Sequence, residues 1–131
     1  MSVIKKIWGT KHSLLITDQT EIDLLYLDKD SACSIHTHEN KINRFVLLMG
    51  EVQIRSSLGD YCLEINEPFD VEAGITHQFI VSENSVMIEL AYVKEGFIDA
   101  SDINRFVQGG KFINGEFFSL DQLKIEGRLD L

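Results

Sequence analysis

The sequence predicts an all-β protein, built as an antiparallel sandwich or barrel with short helical additions near the C-terminus. Three observations carry that prediction. Seven short segments are rich in β-branched and aromatic residues, turn-forming residues punctuate them at close intervals, and the 131-residue length suits one domain around a single core, residues 1–131.

The first two strands are expected in "SLLIT" (13–17) and "EIDLLYL" (21–27), and "DKDS" at 28–31 ends the second. "RFVLLM" (44–49) and "EVQIRS" (51–56) follow with Gly50 between them, and then "YCLEI" (61–65) between "LGD" and "NEPFD". After "EAG" at 72–74 come "HQFIVS" (77–82) and "VMIELAYV" (86–93), separated by "SEN" at 82–84. The tail reads differently. "DASDINRFVQGGKF" (99–112) opens with cap-type residues and ends at Gly109-Gly110, which predicts one or two helical turns. "SLDQLK" (119–124) carries the Ser119-x-x-Gln122 capping-box pattern and predicts a second short helix.

Composition narrows the partners. A formal charge of −9 repels nucleic acid and anionic membranes, so neither is expected as a partner, but local cations can still hold a phosphorylated small molecule. Cys33 and Cys62 are too few for a disulfide scaffold or a CxxC metal site and are expected as reduced, largely buried thiols. The N-terminal "MSVIKKIWGTKHS" lacks the apolar core of a signal peptide, and no apolar run is long enough to cross a bilayer; the expectation is a cytoplasmic protein.

Four histidines are present, and two of them stand one residue apart in "SIHTHENKINRF". On a strand, residues i and i+2 share a face, so His36 and His38 project side by side, as two ligands of one ion must. His77 opens the strand after "EAGIT". Three imidazoles can hold a borderline divalent ion (Zn²⁺, Fe²⁺, Mn²⁺ or Ni²⁺) and leave positions free for water or substrate. The competing reading of an HxH pair is two solvated histidines on an exposed strand.

These surroundings resemble the cupin superfamily, whose first motif runs HxH, three or four residues, Glu, six residues, Gly. Here His36-Thr37-His38 is followed by four residues, Asn43, six residues and Gly50. The second motif, a P-x-G turn and a histidine three residues on, is matched by Glu72-Ala73-Gly74 and His77, with Glu72 where proline is usual. The resemblance implies a double-stranded β-helix barrel and one divalent metal ion held by His36, His38 and His77. Asn43 stands where the family usually places an acid. Its amide oxygen is a neutral and weaker ligand than carboxylate, so sub-stoichiometric metal is expected.

Within the superfamily the chain resembles the C-terminal isomerase domain of bifunctional mannose-6-phosphate isomerase/mannose-1-phosphate guanylyltransferases over residues 4–106. Trp8, Gly9, His38, Gly50, Gly74, His77, Glu89, Asp102, Ile103 and Arg105 agree with that pattern, whereas His36, Lys41, Asn43, Arg44 and Phe45 depart from it. The resemblance implies an aldose–ketose interconversion of a phosphorylated sugar. Glu89, an acid within an apolar strand, is the candidate base. Arg105 would stabilise an oxyanion or hold phosphate, and Lys41 and Arg44 are further phosphate candidates. For each cation the competing reading is a surface salt bridge. Trp8 is read as a core or interface anchor.

In strand 43–49, residues 43, 45, 47 and 49 share the face of the site, and Val46 and Leu48 point outward. Apolar residues on both faces of a strand need cover on both, which predicts a homodimer. Three other functions compete: a three-histidine Fe²⁺ dioxygenase-like cupin, a metal-free nucleotide-sugar ketoisomerase with a histidine acid–base, and a non-catalytic cupin that binds a sugar or small acid.

Overall fold

The computed structural model describes residues 2–128. Its strands are β1 (Val3–Lys6), β2 (Gly9–Ile16), β3 (Thr20–Leu27), β4 (Ser31–Ala32), β5 (Ile35–Thr37), β6 (Ile42–Ser56), β7 (Gly59–Cys62), β8 (Phe69–Val71), β9 (His77–Tyr92), β10 (Asn104–Val107), β11 (Gly110–Ile113) and β12 (Glu116–Ser119), followed by helix α1 (Leu120–Ile125). They form one antiparallel sheet that curls on itself into a barrel, as the sequence predicts.

Two long strands organise the barrel. β6 and β9 pair along their whole length, from Ile42 opposite Tyr92 to Ser56 opposite His77. At one end β9 extends the layer β1-β2-β3; at the other it pairs with β4 and β5. Inward residues of both halves meet in one core that includes Leu25, Phe45, Leu47, Val52, Ile54 and Met87, each at most 1% exposed.

Gly50 and "SEN" are therefore bends inside continuous strands and not turns between separate ones. The register shifts three times between Leu47 and Val52, the signature of bulges that let one strand serve two layers. Gly50 sits at φ +97°, and a Cβ there would meet Ser85 Oγ at 2.1 Å and Asn84 O at 2.6 Å. No other residue fits that backbone without moving β9. Gly50→Ala is expected to cost about 2 kcal/mol or more of unfolding free energy, read from chemical denaturation.

The tail corrects the sequence reading. Residues 99–112 contain no helix; they hold β10 and β11. The cap-type residues close a local turn instead, with Ser101 N–H donating to Asp99 Oδ1 at 2.9 Å and Asp102 N–H to Asp99 O at 3.0 Å. Gly110 serves close strand approach, since a Cβ there would lie 2.0 Å from Phe118 O. The capping box at Ser119 is present in both directions and starts α1, whose Leu123 is buried. In the segment read as "YCLEI" the regular ladder ends at Cys62, after which Leu63 N–H donates to Val52 O at 3.0 Å and Ile65 bridges Leu47; Phe69–Val71, overlapping the predicted turn, adds to β6. Cys33 is buried, but Cys62 is exposed because β7 is an edge strand paired on one side only. Among the described residues no helix is long and apolar enough to cross a membrane.

Candidate metal centre

The register of the sheet assembles the site. β5 carries His36 and pairs with β9 so that His36 lies directly opposite His77. On its other side β5 pairs with β10, which sets Arg105 opposite His36. The turn at 72–75 is tied to the first histidine segment by Gly74 N–H, which donates to His38 O at 2.7 Å. Two segments far apart in sequence are thus locked together by backbone bonds before any side chain contributes.

The three imidazoles converge, with ring centroids 4.4 Å apart for His36–His77, 4.8 Å for His36–His38 and 5.6 Å for His38–His77. One ligand atom from each lies within 4.8 Å of the others. Their orientation is set by backbone carbonyls. His36 Nδ1 lies 2.8 Å from Ser34 O, His38 Nδ1 2.6 Å from Asp102 O, and His77 Nδ1 2.9 Å from Ile75 O. A carbonyl oxygen only accepts, so each Nδ1 carries the proton and each Nε2 offers a lone pair. This outer support of metal-binding histidines fixes the tautomer a metal needs.

Electrostatics favours the neutral rings. Burial, and next the nearby His77, depress His36 to about 3. Burial also lowers His38 and His77, against the backbone bonds that raise them. None of the three carries charge at neutral pH, which is the form that ligates.

Asn43 is 4% exposed and donates from Nδ2 to Glu89 Oε2 at 2.9 Å. Its Oδ1 has no partner among the described residues, and neither has His77 Nε2; both atoms are buried. A buried polar atom without a partner is costly, and a cation bound by the three Nε2 atoms with Asn43 Oδ1 alongside would satisfy both. The donor set therefore fits a divalent ion. Glu39, next to the pair, is exposed and does not join it.

Glu89 and Arg105 open onto a cavity of about 530 Å³ that also meets His36, His38, Asn43 and Trp8. Glu89 has its pKa raised, chiefly by burial and further by Asp23, its cross-strand neighbour, while the Asn43 hydrogen bond pulls the other way. Trp8 is buried edge-on against Phe79 at 5.3 Å and forms part of the wall. Lys41 reaches the cavity too. Arg44 does not. Its neighbours Asn43 and Phe45 point inward, so alternation turns it outward, where Nε and Nη2 pair with Asp70 at 2.8 and 2.9 Å. The surface salt bridge is the reading that holds for Arg44.

Three contributors escaped the sequence reading. Lys6, on the edge strand β1, and Lys11 line the cavity, and nothing in the motif spacing pointed to them. Lys11 is held by Glu21 and Asp23, each at 3.6 Å; Lys6, Lys41 and Arg105 have no hydrogen bond or ion pair from their side chains among the described residues. The third is Asp102. Its carboxylate accepts the backbone N–H groups of Glu39, Asn40 and Lys41 at 2.8, 3.0 and 3.1 Å, while its carbonyl orients His38. Burial opposes the charge, but the three donors together outweigh it and hold the Asp102 carboxyl below its usual range. Its place in the family-like Asp102-Ile103-Asn104-Arg105 run was the available signal. Asp102→Ala is expected to weaken Zn²⁺ binding about 10- to 100-fold in a chelator competition.

No protein-family model matches this sequence, and a search of curated proteins finds no match. Solved structures do match. A conserved protein from Klebsiella pneumoniae with a double-stranded β-helix domain aligns with TM-score 0.60 at 11% identity over 73% of this chain and 77% of that one. CapF of Staphylococcus aureus, a capsular polysaccharide assembling protein, aligns with TM-score 0.65 at 19% identity, covering 82% of this chain and 31% of the other. Pac13 from Streptomyces, a nucleoside dehydratase, aligns with TM-score 0.68 at 4% identity over 82% and 85%. At these identities the likeness fixes the fold alone, a double-stranded β-helix.

Proposed function

We propose that the protein is a metal-dependent cupin enzyme that interconverts the aldose and ketose forms of a phosphorylated sugar. The observation that carries this reading is the convergence of three imidazoles beside the half-buried Glu89 at the wall of a cavity that Lys6, Lys41 and Arg105 also line. His36, His38 and His77, with Asn43, would hold the ion. A divalent ion bound there supplies a Lewis acid for a carbonyl or hydroxyl oxygen.

The chain's own residues do the rest. Glu89, as carboxylate, takes the proton from the carbon next to the carbonyl and returns it to the neighbouring carbon, while the hydroxyl proton of the first carbon passes to the oxygen of the second; its raised pKa brings it toward the working pH. Asn43 keeps that carboxylate in place through the 2.9 Å bond. Lys6, Lys41 and Arg105 bind the phosphate and set the sugar's orientation. Relatives in fold that handle a capsular polysaccharide or a nucleoside are consistent with a sugar-containing ligand.

The test is solvent exchange. Protein loaded with Zn²⁺ or Mn²⁺ and given a hexose 6-phosphate in D₂O should place deuterium at the carbon next to the carbonyl, seen by proton NMR. Absence of exchange with every divalent metal would end the isomerase reading. A neutral ligand set of three histidines and an amide also favours a second reading, an iron-dependent oxygenase; oxygen uptake by the Fe²⁺ form without deuterium incorporation would select it.

A further inference from the structure

Residues 93–103, between β9 and β10, form an outer wall of the cavity. Ile98, Ala100 and Ile103 line it, while Phe97, Asp99 and Ser101 between them are exposed. The segment is rooted at both ends: Val93 N–H donates to Gln19 O at 3.1 Å, and Asn104 pairs with Thr37 on β5. No residue from Lys94 to Ile103 is buried, so the core does not hold this stretch down. Stretches with so few buried contacts open locally at low cost.

Two ties close it instead. On one side Ile98 N–H donates to Asp18 O at 2.7 Å and Gln19 Nε2 to Gly96 O at 3.1 Å, which fastens the segment to the exposed turn between β2 and β3. On the other side the Asp102 carboxylate accepts the N–H groups of Glu39, Asn40 and Lys41, in the loop after His38. Between the ties, the hydrogen bonds of residues 99–101 among the described residues stay within the segment. Gly96, at φ +75°, has open space where a Cβ would lie, so the backbone can turn there without a clash.

The second tie is joined to the histidines. Asp102 O accepts from His38 Nδ1 at 2.6 Å, and the same ring offers its other nitrogen to the cluster. When that nitrogen ligates a cation, the ring loses electron density and its N–H becomes a stronger, charge-assisted donor. The bond to Asp102 O tightens, and the carboxylate of the same residue is held over the three amides. Coupling of this kind is reciprocal, so whatever closes the segment also strengthens the hold on the ion.

We propose that residues 93–103 are a hinged cover over the cavity, and that an ion on His36, His38 and His77 closes it through His38 and Asp102. Loading the ion then does two things at once: it completes the site and it shields the cavity from water. The inference rests on the metal-binding part of the proposed function and not on which reaction follows.

Amide hydrogen exchange on the full chain, read residue by residue by NMR with and without saturating Zn²⁺, tests it. The deciding group is Ile98 N–H, which lies at the far tie and is bonded to Asp18, not to a ligand of the ion. Zn²⁺ should slow its exchange about 5-fold or more, the lower end of ordinary coupling between sites. Thr20 N–H, bonded to Thr17 Oγ1 at 3.0 Å within the same β2–β3 turn, should keep its rate. Asp102→Ala with saturating Zn²⁺ should exchange at Ile98 as fast as the ion-free wild type. If that variant does not fold, Gln19→Ala, which loses only the bond to Gly96 O, should speed Ile98 exchange with or without Zn²⁺, and an unchanged rate would count against the cover. Zn²⁺ that binds in a chelator competition yet leaves Ile98 unchanged overturns the inference while sparing the metal centre. Equal slowing of Ile98 and Thr20, a general tightening, overturns it as well. So does ion-free protein in which Ile98 exchanges as slowly as the core amides of β3, because the wall is then rigid. No Zn²⁺ binding at all removes the metal centre and the cover's control together.

Discussion

Replacing Asn43 by glutamate is expected to raise the metal content of the purified protein from a fraction of an ion per chain to a full equivalent. The amide Oδ1 is buried and unpartnered, so a ligand position is already there, and a carboxylate would bring charge to it. The same change should harm the metal-free protein. Asn43 Nδ2 now donates to Glu89 Oε2 at 2.9 Å, and a glutamate would set a second acceptor, with charge, against that oxygen. Two unit charges 4 Å apart at an effective dielectric of 20 interact by about 4 kcal/mol, so the apo variant must lose stability or take up a proton. The melting temperature without metal should fall below wild type, and the gain on adding Zn²⁺ should exceed that of wild type. Elemental analysis of protein made without a polyhistidine tag reads the occupancy. A variant as empty as the parent would show that position 43 does not reach the ion.

The histidine cluster was legible because its spacing rules are local. An i, i+2 pair on a strand and a histidine after a glycine turn each define a direction, and pairing of β5 with β9 needs only to bring the two together. The barrel itself was legible for the same reason, as each strand carries its alternation in its own residues. What the sequence hid are the features made by distance. Gly50 reads as a turn in isolation and is a bend only because β9 approaches it so closely. The run Asn104–Val107 is exposed along its length and carries no alternation of its own; it becomes a strand by pairing with β5. Lys6 enters the cavity through the curl of the sheet, which nothing in "VIKK" encodes. Arg44 shows the converse. Strand alternation already placed it opposite Asn43, and that rule outweighs its closeness in sequence to the histidines.

Glu89→Gln is expected to abolish proton exchange at the sugar carbon, by about 10²- to 10⁴-fold, while leaving metal content unchanged. The glutamine side chain has nearly the same shape and its Oε1 can still accept from Asn43 Nδ2, so the second partner of the site stays in place. Only the ability to take a proton is removed. The pH dependence follows from the same environment. Burial and the facing Asp23 raise the Glu89 pKa, so the carboxylate form, which acts as base, is lost as pH falls through a value above the ordinary glutamate range. The acid limb of the rate profile should accordingly lie above that range, and Asp23→Asn, by removing one of the groups that raise it, should move the limb to lower pH. Exchange that survives in Glu89→Gln would transfer the base to another group at the cavity wall. An acid limb that ignores Asp23→Asn would mean that Asp23 is not among the groups that set the Glu89 pKa.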